Sequence, residues 1–227
     1  MSAAASVTLA RAADHGRLRV REIFYSLQGE TRTVGLPTAF VRLTGCPLRC
    51  RYCDTAYAFH SGRLMRIEEV LAEVANLGAS YVTVTGGEPL AQKHCLRLLS
   101  RLCDMGYEVS LETSGALDIA AVDHRVVKVM DLKAPGSGEL HKNLYSNIEH
   151  LQRKDQVKFV ICSREDYEWA RNMLNEYGLS ARCEVLFSPS HGELEAGLLA
   201  DWILADHLAV RLQIQLHKYL WGDVPGR

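Results

Sequence analysis

Stretches of β-branched residues alternate with amphipathic helical stretches from about residue 19 onward, and this restricts the fold of the chain more than any other feature. RVREIFYS (19–26) and TAFVRLT (38–44) come first and lie close together. Residues 66–77 place Ile67, Val70, Leu71, Val74 and Leu77 on one helical face. SYVTVTG (80–86) then precedes a predicted helix from about Leu90 to Met105. YEVSLETSG (107–115), VVKVMDLK (126–133) and QVKFVIC (156–162) read as further strands, the last leading into a helix over 164–177. CEVLFS (183–188), a helix near 194–206 and VRLQIQL (210–216) complete the series. Such alternation builds right-handed βαβ units around a parallel sheet. The units are too few for a closed eight-stranded barrel. The expectation is one α/β domain forming an incomplete, TIM-like barrel of about six parallel strands with helices outside, an open doubly wound sheet being the other topology. In both, reactive groups collect at the C-terminal ends of the strands.

A length of 227 residues suits one domain, read here as 19–227 behind a flexible tail over 1–18. That alanine-rich start has no basic segment followed by an apolar run, so it does not read as a secretory signal. No stretch approaches the ~20 apolar residues that span a bilayer. With 26 basic and 27 acidic residues, no overall field attracts nucleic acid. These features point to a cytoplasmic protein that binds neither nucleic acid nor membrane.

Cysteine usage narrows the chemistry. Seven cysteines, three of them bunched, do not form a disulfide framework. Cys95, Cys103, Cys162 and Cys183 sit in apolar contexts and read as small buried hydrophobes. Cys46, Cys50 and Cys53 stand in TGCPLRCRYCDT, directly after a strand, with the spacing C-x3-C-x2-C. Three thiolates on one loop suit an iron–sulfur cubane that keeps one iron open. Zinc closed by His60 as fourth ligand, a Cys50–Cys53 redox pair and chance clustering are the competing readings.

CPLRCRYC resembles the signature of the radical S-adenosylmethionine (SAM) superfamily. That resemblance implies a 4Fe–4S cluster on the three cysteines, SAM on the fourth iron, and reductive cleavage of SAM to a radical that abstracts hydrogen. VTVTGGEPL (82–90) agrees, because its GGEP resembles the element that meets the SAM amino group. Paired glycines also let a ligand approach the backbone closely. Glu112, Thr113 and Ser114 of LETSG, Lys133 of DLKAP, and Ser163, Arg164 and Asp166 after QVKFVIC stand at further strand ends. Locally, Thr113–Ser114 and Ser163–Asp166 read equally well as helix caps, and Lys133 as a surface lysine.

Within that superfamily, SLQGE, FVRLTGCPLRCRYCDT, TGGEP, ETSG, DLK and QLHKYL together resemble the 7-carboxy-7-deazaguanine synthases over most of residues 22–220. The resemblance implies conversion of 6-carboxy-5,6,7,8-tetrahydropterin to 7-carboxy-7-deazaguanine with loss of ammonia. Carried over residue by residue, Leu27, Gln28, Gly29, Glu30, Arg42, Thr85 and His217 would hold the substrate. Tyr52, Cys53, Asp54, Gly87, Glu88, Thr113, Ser114, Lys133, Ser163, Arg164 and Asp166 would contact SAM, and Thr55 would give its hydroxyl to Mg²⁺. Glu30 or Glu112 would assist proton movement. A flavodoxin or ferredoxin as reductant and a homodimer are implied as well. A glycyl-radical-enzyme activase shares the cysteine spacing but would need a peptide groove, and a zinc-stabilised binding module would leave GGEP and ETSG as turns. The chain departs from the family pattern at Ala134, between Lys133 and Pro135. WGDVPGR also runs past the matching HKYL, which leaves the placement of Pro225 and the terminal carboxylate open.

Overall fold

A computed structural model describes residues 16–222 together with Val224 and Gly226. Residues 1–15 of the expected tail, and Pro225 at the other end, lie outside the described residues. Among the described residues, nine strands form one sheet: β1 (Arg17–Leu27), β2 (Pro37–Leu43), β3 (Arg63–Arg66), β4 (Tyr81–Gly86), β5 (Glu108–Thr113), β6 (Val127–Asp131), β7 (Gln156–Ile161), β8 (Glu184–Pro189) and β9 (Arg211–Leu212). Their order is β3-β1-β2-β4-β5-β6-β7-β8-β9. From β2 to β9 every neighbour pair is parallel, while β1 runs antiparallel to both β2 and β3. Among the described residues, β3 and β9 are free edges, so the barrel is incomplete, and it has seven parallel strands rather than about six.

Period-two alternation assigns the two faces of the sheet. Val82, Val84, Val109, Leu111, Met130, Val157, Phe159 and Ile161 point outward into the core. There they meet α1 (Ile67–Asn76), α2 (Cys95–Asp104) and α3 (Arg164–Tyr177). Val70, Leu71 and Val74 of α1 and Leu98, Leu99 and Leu102 of α2 form the helical half of that core. A short α4 (Leu179–Arg182) and α5 (Ala196–Ala205) complete the outer layer, while α6 (Leu216–Trp221) lies at the cavity, which His217 and Lys218 line. The intervening residues, Thr83, Thr85, Glu112, Asp131 and Lys158 among them, point into the concave face.

The structure corrects several expectations. The Leu90–Met105 helix is a 3₁₀ turn, Pro89–Ala91, followed by α2. Short 3₁₀ turns, not helices, join β6 to β7, and the β5–β6 connection has no helix either. The last strand shrinks to two residues: after the Gln213 N–H bond to Phe187 O the chain leaves β8, and α6 begins at Leu216, whose N–H goes to Gly29 O. Cys95 and Cys183 are buried, whereas Cys103 and Cys162 are only half-buried.

Candidate active site

The loop after β2 carries the three cysteines and is pinned along its backbone. Gly45 N–H donates to Ala58 O (2.9 Å) and Arg51 N–H to Ser137 O (3.0 Å). Arg49 N–H donates to Glu139 Oε1 (2.7 Å), while its guanidinium donates to Cys46 O (2.8 Å) and lies over the Phe59 ring. Leu48, also in the loop, is buried and lines the same cavity as the cysteines. Held this way, Cys46, Cys50 and Cys53 all line one cavity of about 500 Å³ at the C-terminal ends of the strands. Burial pushes the Cys46 thiol upward and the Cys50 thiol up to about 11, so metal binding must displace protons here.

The donor set decides between the metal readings. Among the described residues, no three His, Cys, Asp or Glu side chains close on a single point as a mononuclear site demands. His60 is exposed and does not line the cavity, so it closes no zinc site. Three separated thiols opening on a shared cavity suit a multi-iron cluster, whose irons each take one thiolate.

Gly86 and Gly87 sit where no side chain fits. A Cβ on Gly86 (φ 144°) would fall 2.1 Å from Leu43 O, and one on Gly87 2.2 Å from Gly45 O. The close approach lets Gly87 N–H reach Leu43 O and Glu88 N–H reach Gly45 O, which locks β4 to the cysteine loop. Glu88 itself is fully buried and does not line the cavity. Its carboxylate accepts from Leu90 N–H (3.0 Å), Thr113 Oγ1 (2.9 Å), Ser114 N–H (2.7 Å) and Ser114 Oγ (2.5 Å). It is therefore a bracket between β4 and β5 rather than a ligand contact. Glu88→Gln turns an NH₂ toward donors and should cost about 3 kcal/mol, lowering Tm by roughly 6–12 °C in a chain of this size. A calorimetric Tm within 2 °C of wild type, a shift too small for that loss, would count against the bracket.

The cavity floor is ionic. Lys158 Nζ lies 2.7 Å from Glu30 Oε2 and 3.8 Å from Asp131 Oδ2, and Lys133 Nζ lies 2.9 Å from the same Asp131 oxygen. Burial opposes the charge on both lysines, yet the facing carboxylates outweigh it and hold both pKa values above the ordinary lysine range. Gln28 Oε1 accepts from Glu30 N–H (3.1 Å) while its amide donates to Thr83 (3.1 Å). Thr85 donates to Glu112 (2.8 Å), whose pKa is raised by burial and by Glu30. Tyr52 Oη and Asp131 Oδ1 are buried without a hydrogen-bond partner, and both residues line the cavity beside Lys133. Unpaired buried polar atoms are costly, so this corner is built for a polar ligand.

The opposite wall is part aromatic. Phe24 and Phe40 stack at 4.9 Å, and the Arg42 guanidinium lies over Phe24 and Tyr57. Glu22 accepts from both Arg42 Nε (2.7 Å) and Tyr57 Oη (2.8 Å), which orients the arginine. From the C-terminal side, Gln215 donates to Glu30 (2.8 Å) and to Asp54 (3.0 Å), and Lys218 lies 3.8 Å from Asp54. Thr55 donates to Asp54 (2.9 Å) at the rim. His217 is held below its usual pKa by burial and packs onto Gly29.

Of the residues singled out in the sequence, Leu27, Gln28, Gly29, Glu30, Arg42, Tyr52, Cys53, Asp54, Thr55, Thr85, Gly87, Glu112, Thr113, Ser114, Lys133 and His217 line this one cavity. Ser163, Arg164 and Asp166 do not. Ser163 Oγ caps α3 through Asp166 N–H, and Arg164 pairs with Glu168 while stacking on Trp202. Asp166 accepts from Gly136 N–H (2.7 Å), steadying the segment that holds the cysteine loop at Ser137. Sequence reading missed Lys158, Asp131, Tyr57 and Gln215. A lysine at an inward position of the apolar QVKFVIC was the available signal for the first.

The radical SAM superfamily model matches residues 40–184. The 7-carboxy-7-deazaguanine synthase of Chlorobaculum tepidum is 46% identical over 208 residues, covering 90% of this chain and 94% of that protein. The enzyme of the same name from Koribacter versatilis is 42% identical, covering 90% and 97%. Among solved structures, QueE from Escherichia coli superposes with a TM-score of 0.74 at 23% identity over 88% of this chain and 95% of the other, a likeness of fold.

Proposed function

The chain belongs to the radical SAM superfamily and, within it, to the 7-carboxy-7-deazaguanine synthases, and on that premise we propose that it converts 6-carboxy-5,6,7,8-tetrahydropterin to 7-carboxy-7-deazaguanine with loss of ammonia. One observation carries the reading: the three thiols of the cysteine loop open on the same cavity as a polar floor sized for a heterocycle. When bound, a 4Fe–4S cluster with SAM supplies one-electron hydrogen-abstraction chemistry.

The protein's own residues bind, orient and exclude water, and such alignment is what a hydrogen transfer demands. Cys46, Cys50 and Cys53 would hold the cluster. Leu27, Gln28, Gly29, Glu30, Arg42, Thr85 and His217 are assigned to the pterin, with Glu30 and Gln28 facing its N–H edge. Thr55 is assigned to Mg²⁺ shared with the substrate carboxylate. Tyr52, Cys53, Asp54, Gly87, Ser114 and Lys133 are assigned to SAM, supported by the unpaired Tyr52 and Asp131 atoms beside Lys133. Glu112, buried and drawn toward its protonated form, is the group we assign to proton movement during ring contraction. A low-potential flavodoxin or ferredoxin as electron donor, a homodimer and a cytoplasmic location belong to the same proposal. Among the described residues, no helix is long and apolar enough to cross a membrane.

The test is anaerobic. Protein reconstituted with iron and sulfide, reduced, and given SAM and Mg²⁺ should form 7-carboxy-7-deazaguanine from carboxytetrahydropterin. SAM cleavage without that product would keep the radical chemistry and reject the substrate.

A further inference from the structure

Four ionisable side chains form a line across the cavity floor. Glu30 meets Lys158 at 2.7 Å, Lys158 meets Asp131 at 3.8 Å, and Asp131 meets Lys133 at 2.9 Å. Glu112 faces the same lysine from β5. His217, from α6, and Arg42, from β2, stand nearby on the cavity wall. Lys158 is the link. It projects inward from β7, while its neighbours Val157 and Phe159 supply the core on the other face, so its charge is not needed for packing.

Both Glu30 oxygens already receive donors, Oε2 from Lys158 and Oε1 from Gln215. A carboxylate held like this can only accept hydrogen bonds. A ligand edge presented to it must therefore donate. We propose that Lys158 is a specificity-determining residue: by keeping Glu30 an obligate acceptor, it selects heterocycles with N–H groups at that edge over those with a carbonyl there. The proposal rests on the reading that Glu30 faces the pterin. Without Lys158, Glu30 keeps only the Gln215 donor, its second oxygen is no longer held, and the selection is lost.

The experiment compares kcat/KM of the reconstituted holoenzyme for 6-carboxytetrahydropterin and for its counterpart with oxygen replacing the 2-amino group. Wild type should prefer the pterin by at least about 100-fold, because a carbonyl set against an acceptor leaves two buried groups unpaired. In Lys158→Met that preference should fall at least about tenfold, chiefly through a raised KM for the pterin. Lys158→Arg, which restores the cation, should recover most of it. Lys158→Gln gives the same reading if the methionine variant loses iron or melts early. A preference unchanged in Met and Gln variants that slow both heterocycles alike would overturn the proposal. A wild type that cleaves SAM but ignores the pterin would remove the functional premise, a separate failure that takes the proposal with it.

Discussion

Cys50→Ala is expected to abolish 5′-deoxyadenosine formation by the reconstituted protein, a loss of about four orders of magnitude or about 5.5 kcal/mol on the barrier. The loop leaves no route to a substitute ligand. Its backbone is tied at Gly45, Arg49 and Arg51, so Cys46 and Cys53 cannot shift to cover a missing thiolate. Cys95, Cys103, Cys162 and Cys183 do not line the cavity, and no further cysteine exists to be recruited. Iron and sulfide content should fall together with SAM cleavage, whereas Cys103→Ala, on the outer helix α2, should keep both. A Cys50→Ala protein that still carried four irons and cleaved SAM at the wild-type rate would remove the cysteine loop from the chemistry.

The sequence announces the strand ends because special backbone is needed there. Gly86 and Gly87 are readable as glycines, and the structure supplies the reason in Leu43 O and Gly45 O, each too close for a Cβ. The same local logic misplaced Ser163, Arg164 and Asp166. Their positions after a strand satisfied a pattern of spacing, but Ser163-x-x-Asp166 is also a capping pattern, and the helix took it. Glu88 shows the converse. A carboxylate after two glycines can turn either to a ligand or back into the sheet, and four donors from Leu90, Thr113 and Ser114 turn it back.

What the sequence hid was the inward face of the strands. Thr83 and Thr85, Ser110 and Glu112, and Gln156 and Lys158 each occupy every second position of otherwise apolar strands. That period-two signal was present, yet it reads equally as a solvent-facing surface. Only curvature of the sheet, with helices on the apolar face, makes the polar face concave and brings Glu30 from the loop after β1 to Lys158 on β7 across 128 positions of sequence. Ion pairs of that range have no local signature. Gln215 was hidden for a related reason: the expected strand over 210–216 ends early, and the turn that replaces it carries the side chain to Glu30 and Asp54.

The same turn makes Gly29 the most sensitive position of the substrate half. Leu216 N–H donates to Gly29 O (2.9 Å), seating α6 on the loop after β1. A Cβ added at Gly29 would lie 2.1 Å from His217 Nδ1 and 3.2 Å from its Cβ, so the imidazole cannot give way by rotation alone and α6 must lift. Lifting α6 withdraws His217, Gln215 and Lys218 from the wall at once, and Glu30 loses one of its two donors. The cysteine loop is fastened chiefly elsewhere, to Ala58 and Ser137, and should stay in place, Asp54 losing Gln215 but keeping Thr55. Gly29→Ala is therefore expected to lower kcat/KM for carboxytetrahydropterin by at least about 100-fold, a misplacement effect, while iron content and substrate-free SAM cleavage remain near wild type. A rigid contact predicts that split. If product formation and uncoupled SAM cleavage fell together, Gly29 would be supporting the fold at large; if neither fell, α6 would not be a wall of the substrate site.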